Sequence, residues 1–317
     1  MTSAEAQQNM LIAETPATPG PAPEWNIPSA ESETEPIIEA DAAATALEDV
    51  PLVPRQRRGP AVVVAVVSGK AGTGKSTLAA NLACAIARDY RMAVAVVDLS
   101  LQFGDQALMF DAGSSPSIVD VLANIEYLTP EFTLECMHQA HGLRILGAPP
   151  SPELADLVDA NHLNLIINHL KSIFDFVVLD TSSHLSDISL EAIDSADSLV
   201  LLTTPYLAAV KDTKLLLKTM SDLGIPAAKL NAVLNRMEPA IKMSLDVLEA
   251  NLKFPISLEL PHVAGLLVDS VTDGVPLVLS RPNSEWGNRV AELATLVVDA
   301  SIAKARKPKR GFLGRPR

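Results

Sequence analysis

The stretch AVVVAVVSGKAGTGKSTL, residues 61–78, decides the fold class of this chain. Its first seven residues are small or β-branched and apolar, which predicts a buried strand, and residues 76–89 have the spacing of a helix. Between them, residues 69–76 match the pattern G-x-x-x-x-G-K-[ST]. Glycines in such a loop let consecutive backbone N–H groups face phosphate oxygens, and the helix N-terminus adds partial positive charge. The strand, loop and helix together predict a phosphate-binding loop.

Strand-like and helical segments alternate beyond this loop. Continuous Val, Ile and Leu runs indicate strands that are covered on both faces, as in parallel sheets. We therefore predict an α/β fold with a doubly wound, mostly parallel sheet and helices on both faces, formed by one domain over residues 61–303. The predicted strands are residues 61–68, 92–100, 175–180, 198–204, 230–236 and 256–261, and the predicted helices are 76–89, 162–174, 210–224 and about 284–303.

Charge divides the 317-residue chain into three parts. Residues 1–54 hold ten acidic and no basic side chains, and residues 1–60 hold nine of the 23 prolines, which predicts a disordered acidic, Pro-rich arm over residues 1–60. Residues 304–317 form a basic tail with seven Lys or Arg and no acidic residue. The net charge of −13 disfavours nucleic-acid binding by the body of the protein, so any contact with DNA or an anionic membrane must use a local basic patch.

Localisation is inferred from what the sequence lacks. No apolar run approaches the roughly 18 to 20 residues that cross a bilayer, and the N-terminus lacks the order of a signal peptide. Two cysteines, Cys84 and Cys136, are too few for a disulfide framework. We therefore expect a cytoplasmic protein.

The loop residues point to triphosphate chemistry. Lys75 can reach the β- and γ-phosphates and Ser76 can bind Mg²⁺. A second lysine, Lys70, lies five residues earlier in the same loop. With Lys70, the segment SGKAGTGKST resembles the deviant Walker A loop of the MinD/ParA family of P-loop ATPases, although Ala71 replaces the usual glycine.

The resemblance implies a homodimer that binds ATP and Mg²⁺ between its subunits, with Lys70 reaching across to the partner subunit's phosphates. Such a trans contact would link nucleotide binding to dimerisation, since each would stabilise the other. The alternative for Lys70 is a solvated loop lysine. The implied nucleotide-binding residues in the loop are Gly69, Lys70, Ala71, Gly72, Thr73, Gly74, Lys75, Ser76 and Thr77.

Two aspartates complete the implied site. Asp180 follows four apolar residues and lies 105 residues after Lys75, where the family has its Walker B aspartate; Asp98 matches the first aspartate of switch I. With Ser76, they are the expected metal ligands, and Lys70, Lys75, Asp98 and Asp180 are the expected catalytic residues. Ser100 stands where relatives carry a water-positioning aspartate. Because a hydroxyl is a poor base near neutral pH, we expect slow hydrolysis unless Asp105 or a partner compensates.

Base recognition is expected near the end of the domain. Asn235-Arg236 resembles the family's adenine-side motif, and Pro261-His262-Val263 resembles the loop that closes over the base. Each signal is only two or three residues long, so loop-capping roles remain an alternative.

The segments 98–105, 174–181 and 233–236 resemble the CpaE/TadZ branch, which assembles Flp or tight-adherence pili. This resemblance implies pilus or cell-envelope assembly partners and a peripheral position at the inner face of the membrane. A ParA-like DNA-partitioning ATPase, a MinD-like septum-positioning ATPase, a non-hydrolysing scaffold and a small-molecule kinase or ligase are the alternatives. The basic tail could contact an anionic membrane, DNA or neither.

Overall fold

The computed structural model describes residues 61–237 and 243–305, with side chains to residue 300. Eight strands within these residues form one sheet. They are β1 (Val62–Val67), β2 (Val94–Leu99), β3 (His138–Ala140), β4 (Leu143–Leu146), β5 (Phe176–Thr181), β6 (Ser198–Thr203), β7 (Leu230–Asn235) and β8 (Leu258–Leu260). The strand order is β3-β4-β2-β5-β1-β6-β7-β8. All neighbours are parallel except β3 and β4, which pair antiparallel.

Helices connect the strands. They are α1 (Lys75–Tyr90), α2 (Gln106–Met109), α3 (Ile118–Leu122), α4 (Pro130–Glu135), α5 (Ala160–Ile173), α6 (Asp187–Ser195), α7 (Leu207–Asp222), α8 (Leu245–Leu252), α9 (Ala264–Thr272), α10 (Leu277–Ser280) and α11 (Glu285–Ala305). Short 3₁₀ turns cover Ile125–Tyr127, Pro152–Leu157 and Ala227–Lys229. None of the helices in the described part of the chain is both long and apolar enough to cross a bilayer.

The sheet buries both of its faces. Val64 and Val66 of β1 pack into a core with α1 and α11, whereas Val63 and Ala65 pack into a second core with α5, α6 and α7. Alternate residues of one strand thus enter opposite cores, which explains why the sequence shows a continuous aliphatic run instead of an alternating pattern. The predicted doubly wound α/β fold is confirmed.

Strand register brings the predicted acidic residues together. In the β2–β5 pair Asp98 lies directly opposite Asp180, and β1, which leads into the phosphate-binding loop, pairs with β5 on its other side. The carboxyl ends of β2, β5, β1 and β6 therefore meet at one edge of the sheet, where ligands bind in open α/β sheets.

Several element bounds differ from those predicted. The hairpin of β3 and β4 was missed, because its strands have only three and four residues and lie at the sheet edge. The helix predicted over 210–224 begins at Leu207 and ends at Asp222, and Gly224 follows its cap with a left-handed φ of 76°. The predicted strand 256–261 is shortened to β8. Because α11 continues to Ala305, the first two residues of the predicted tail are helical; residues 306–317 and the predicted arm, 1–60, lie outside the described residues.

Candidate functional site

The loop at residues 69–74 joins β1 to α1 and has the close contacts that require glycine. At Gly74, which caps α1, φ is +93°, a left-handed value that favours glycine. A Cβ at Gly69 would lie 2.5 Å from the backbone carbon and oxygen of Asp212 in α7. The loop is thus packed against α7, and the backbone N–H groups at the start of α1 remain without intrahelical partners, as an anion site requires.

Lys75 is buried, with 8% of its surface exposed, and its ammonium is held by hydroxyl groups. It donates to Ser68 Oγ at 3.1 Å and to Ser183 Oγ at 2.5 Å. Burial lowers the pKa of Lys75, and the negative charge of Asp180 opposes that shift. These two hydrogen bonds position the ammonium inside the loop. Because both partners are neutral, the positive charge remains available for an anion. Sequence analysis did not identify Ser183 as a partner.

Asp98 and Asp180 are both buried side by side at the ends of their strands. Burial, and to a smaller extent the negative charge of Asp180, raise the pKa of Asp98 to about 7. Two backbone N–H groups oppose this shift: Ser100 donates to Asp98 Oδ1 at 3.0 Å and Gln106 donates to Oδ2 at 2.9 Å. Burial also raises the pKa of Asp180. Two neighbouring carboxylates out of water are unfavourable unless a cation joins them.

The residues around Asp180 fit a magnesium ion. Its Oδ1 atom is buried and has no hydrogen-bond partner among the described residues. The hydroxyl of Ser76, the first residue after Lys75, acts on the same carboxylate and lowers its pKa. Hydroxyl and carboxylate oxygens are the ligands that Mg²⁺ takes in phosphate sites. Ser76, Asp180 and Asp98 are therefore suited to hold the ion directly or through water, as the sequence predicts.

Gln106 is a further site residue that the sequence analysis missed. It is fully buried at the start of α2. Its Nε2 donates to Asp180 Oδ2 and to the Ser76 carbonyl oxygen, both at 2.9 Å, while its backbone N–H binds Asp98. One residue thus connects the segment after β2 with α1 and β5. Its residue type alone carries no signal for this role, because its partner Asp180 is 74 positions away along the chain.

Lys70 lies apart from these buried groups. Half of its side chain is exposed, and its ammonium forms an ion pair with Asp212 Oδ2 at 3.7 Å. Asp105, which caps α2, is also exposed. Ser100 takes part through its backbone: its N–H donates to Asp98 Oδ1 and its carbonyl oxygen accepts from the Phe103 N–H, both at 3.0 Å.

A cavity of about 390 Å³ adjoins the loop. Asn235 donates from Nδ2 to the Thr73 carbonyl oxygen at 2.9 Å, which leaves its Oδ1 as the acceptor for a ligand. Arg236 is bound to Glu259 Oε2 at 2.8 Å and to the Met243 carbonyl oxygen, so its guanidinium has structural partners. The lining is mainly apolar and includes, from the predicted set, Gly74, Thr77, Asn235, Arg236, Pro261 and His262.

Comparison with known proteins agrees with this arrangement. Residues 64–267, well over half of the chain, match the CobQ/CobB/MinD/ParA nucleotide binding domain. The chain belongs to the CobQ/CobB/MinD/ParA family. It is 25% identical over 261 residues to an uncharacterized ATP-binding protein of Methanocaldococcus jannaschii, covering 80% of this chain and 95% of the relative. It is 26% identical over 226 residues to the septum site-determining protein MinD of Thermotoga maritima, covering 69% and 81%.

Solved structures of the CobQ/CobB/MinD/ParA family share the fold. A ParA family ATPase from Chlorobium tepidum superposes with a TM-score of 0.69 at 23% identity, covering 74% of this chain and 98% of that one. MinD from Pyrococcus horikoshii, complexed with Mg-ADP, gives a TM-score of 0.66 at 23% identity and covers 78% and 99%. The fold and the family predicted from the sequence are confirmed at this level.

In this family member the predicted residues form two groups and one outlier. Lys75, Ser76, Asp98 and Asp180 converge at the carboxyl edge of the sheet. Asn235, Pro261 and His262 line the adjoining cavity. Lys70 pairs instead with Asp212 of α7.

Proposed function

We propose that this protein is an ATPase switch that dimerises with ATP and Mg²⁺ held between two copies of the chain. The main support is the contrast between the two loop lysines. Lys75 is buried among hydroxyl groups, whereas Lys70 is half exposed and its one ion pair among the described residues is with Asp212 of α7. A lysine in that position is free to bind a phosphate on a second subunit. Relatives described as ParA family ATPase and cell division ATPase MinD support ATPase activity at the family level.

Each group of residues has a role in binding ATP. The loop N–H groups and Lys75 bind the phosphates, and Asn235 Oδ1 accepts from the exocyclic amine of adenine, which a guanine carbonyl could not supply. Ser76, Asp98 and Asp180 hold Mg²⁺, which neutralises phosphate charge when bound. Pro261 and His262 cover the base.

Hydrolysis is proposed to be slow. Ser100 supplies no carboxylate to the attacking water, and the loss of a general base costs about 10²- to 10⁴-fold in rate. Asp105 is exposed at the cap of α2 in this single chain, so it acts on the water only when switch I, residues 98–105, moves.

The edge that carries the site also suits association with a second copy. Phe103 and Leu207 are each 79% exposed and Leu185 is 44% exposed. These residues follow β2, β6 and β5, whose carboxyl ends lie together around the loop. Exposed apolar side chains around a nucleotide site favour a protein contact there.

The test compares lysine variants of the full chain. Light scattering with a nonhydrolysable ATP analogue and Mg²⁺ measures the mass, and calorimetry measures nucleotide affinity. We expect Lys75→Ala to abolish binding, and Lys70→Ala to retain much of the monomer's binding but lose the dimer. Lys171→Ala on α5 is the matched control and should behave like wild type.

Two results would contradict the proposal. One is a wild-type protein that binds nucleotide and stays monomeric; the other is a Lys70→Ala variant that dimerises as readily as wild type. A single-turnover assay then separates the reaction classes: the γ-phosphate passes to water in an ATPase, to an added metabolite in a kinase or ligase, and nowhere in a scaffold.

We further propose that the switch positions or assembles a cell-envelope machine, most specifically a Flp or tight-adherence pilus. The support is the run Asp98–Asp105, which resembles the CpaE/TadZ branch. Relatives named for septum-site determination favour the MinD-like alternative. Deletion of the gene tests this choice: a loss of pili with normal septum placement supports the pilus role, and misplaced septa support the alternative.

The basic tail, residues 304–317, is proposed as the contact with an anionic membrane at the inner face of the cell membrane. Its seven basic residues are worth up to about 1 kcal/mol each near an anionic leaflet. Co-sedimentation with anionic liposomes and with DNA, using chains with and without residues 304–317, tests both ligands. Loss of liposome binding on truncation supports the membrane, and loss of DNA binding supports the ParA-like alternative.

A further inference from the structure

The loop between β5 and α6, residues 182–186, is joined to the phosphate-binding loop by the side chain of Ser183. Ser183 Oγ accepts a hydrogen bond from Lys75 Nζ at 2.5 Å, across 108 positions of the chain. No other hydrogen bond within the described residues connects residues 182–186 with residues 68–77. The position of residues 182–186 therefore depends on what Lys75 binds.

The neighbouring hydroxyl groups bind within their own segment. Ser182 Oγ donates to the His184 carbonyl oxygen at 3.1 Å, and Ser189 Oγ of α6 donates to the same oxygen at 2.7 Å. Ser186 caps α6 by accepting from the Ser189 N–H at 3.3 Å. These hydrogen bonds do not involve Lys75, so they hold the loop together whether or not Ser183 is bound to the lysine.

Ser68, the second hydroxyl partner of Lys75, is fixed in place. It directly follows β1 and is 5% exposed. Its Oγ donates to the Lys70 carbonyl oxygen at 2.6 Å and accepts from Lys75 Nζ at 3.1 Å, so it is held from both sides. Ser183 is only partly buried, and its Oγ has Lys75 as its one hydrogen-bond partner among the described residues. Although its bond to Lys75 is the shorter one, Ser183 is the partner that can move away.

The number of donors on Lys75 limits what it can bind at once. An ammonium has three N–H donors, and two of them are directed to Ser68 and Ser183, which leaves one. A P-loop lysine reaches the β- and γ-phosphates. ADP offers only its β-phosphate, for which one donor suffices, whereas ATP requires a second. Because a charged phosphate oxygen binds an ammonium more strongly than a neutral hydroxyl does, ATP displaces one hydroxyl from Lys75.

We propose that Ser183 is the residue through which this chain distinguishes ATP from ADP. The γ-phosphate takes the Lys75 donor that Ser183 holds, and residues 182–186 separate from the phosphate-binding loop; with ADP the contact persists. This inference rests on the proposed binding of ATP by residues 69–76. Leu185, which is 44% exposed on the edge proposed to meet the second copy, lies in the released loop. Release of the loop therefore links the γ-phosphate to dimerisation.

Calorimetry on the full chain tests this exchange, with Mg²⁺ and either ADP or a nonhydrolysable ATP analogue. The background is Lys70→Ala, in which nucleotide binding is expected without dimerisation, and light scattering reports the mass of the same samples. Ser183→Ala removes a hydrogen bond that only ATP has to break. We expect the analogue to bind about 3- to 10-fold more tightly and the affinity for ADP to stay within about twofold. Ser183→Thr keeps the hydroxyl and should bind both nucleotides as the background does.

Ser182→Ala is the matched control, because it removes a hydroxyl of the same loop that binds His184 and not Lys75. It should leave the ratio of the two affinities unchanged. An environment-sensitive fluorophore on His184→Cys gives a second readout, since His184 is exposed and both native cysteines are buried. Its emission should change with the analogue but not with ADP. In Ser183→Ala the emission without nucleotide should already match that of the analogue-bound background.

Three results would overturn the inference and leave nucleotide binding intact. They are an analogue affinity that is unchanged or weaker in Ser183→Ala, equal shifts in the affinities for ADP and the analogue, and a fluorophore that responds equally to both nucleotides. Each leaves the proposed ATPase switch standing, because the chain still binds ATP. A wild-type chain that binds neither nucleotide would overturn both the proposed function and the role of Ser183.

Discussion

The contact between the phosphate loop and α7 permits a sharp test with glycine variants. In Gly69→Ala the new Cβ would lie 2.5 Å from the Asp212 carbonyl carbon and oxygen and 2.7 Å from the Thr213 nitrogen. All three are backbone atoms of a 16-residue helix, so no side chain can rotate away. Overpacking of this kind costs about 1–3 kcal/mol. We expect the free energy of unfolding to fall by that amount in urea denaturation.

The same displacement acts on nucleotide affinity. If α7 stays in place, the loop must move by several tenths of an ångström to relieve the contact, and its N–H groups move with it. A misplacement of about 1 Å at a binding loop can cost 10²-fold in activity. We therefore expect Gly69→Ala to weaken ATP binding at least tenfold by calorimetry, beyond its effect on stability.

Alanine substitutions at two further glycines distinguish the cost of a steric clash from the cost of backbone strain. Gly72 has a φ of +72° and no atom near its added Cβ, so Gly72→Ala should cost about 1–2 kcal/mol through strain alone. Gly265 in α9 has neither problem, and Gly265→Ala should be neutral or stabilising by up to roughly 1 kcal/mol. If Gly69→Ala is as stable as wild type and binds ATP equally well, the close approach of α7 to the loop is refuted.

Three other predictions concern buried groups. Gln106→Leu removes the donor to Asp180 and should lower Mg²⁺ affinity about 10- to 100-fold in a Mg²⁺ titration of nucleotide binding; an unchanged midpoint would exclude a positioning role. Ser100→Asp should raise ATP turnover in a phosphate-release assay, and unchanged turnover would show that residue 100 is not limiting. Burial raises the pKa of both Cys84 and Cys136, so at neutral pH few thiolates form and a disulfide reagent should react slowly with native protein but with both thiols in urea. Fast reaction of both thiols in the native protein would contradict the burial of Cys84 and Cys136.

The residues that sequence analysis found are those whose role depends on local sequence. Gly69–Ser76 form one continuous motif, and Asp98 and Asp180 each end a run of apolar strand residues. Parallel pairing then places the two carboxylates side by side, because neighbouring parallel strands have their carboxyl ends at the same edge of the sheet. These features follow from short patterns and from the chain direction.

The residues that it missed depend on contacts between distant segments. Ser183 meets Lys75 across 108 positions, and Gln106 meets Asp180 across 74. Neither residue type is unusual at its own position, so the sequence gives no local signal for these hydrogen bonds. The β3–β4 hairpin was missed for a different reason: Leu143–Leu146 is only four residues long, too short for a periodic pattern to emerge.

The ion pair of Lys70 decides how easily the proposed trans contact can form. Lys70 and Asp212 are 3.7 Å apart with 51% and 27% of their side chains exposed, so water screens their attraction. Surface pairs of this kind are worth about 1 kcal/mol or less. A triphosphate offers several negative charges at a water-excluded interface, where each charge-assisted hydrogen bond is stronger than at the surface. We therefore expect the proposed exchange of Asp212 for a phosphate of a second subunit to be favourable. The cis pair keeps Lys70 positioned beside the loop at little cost to dimerisation.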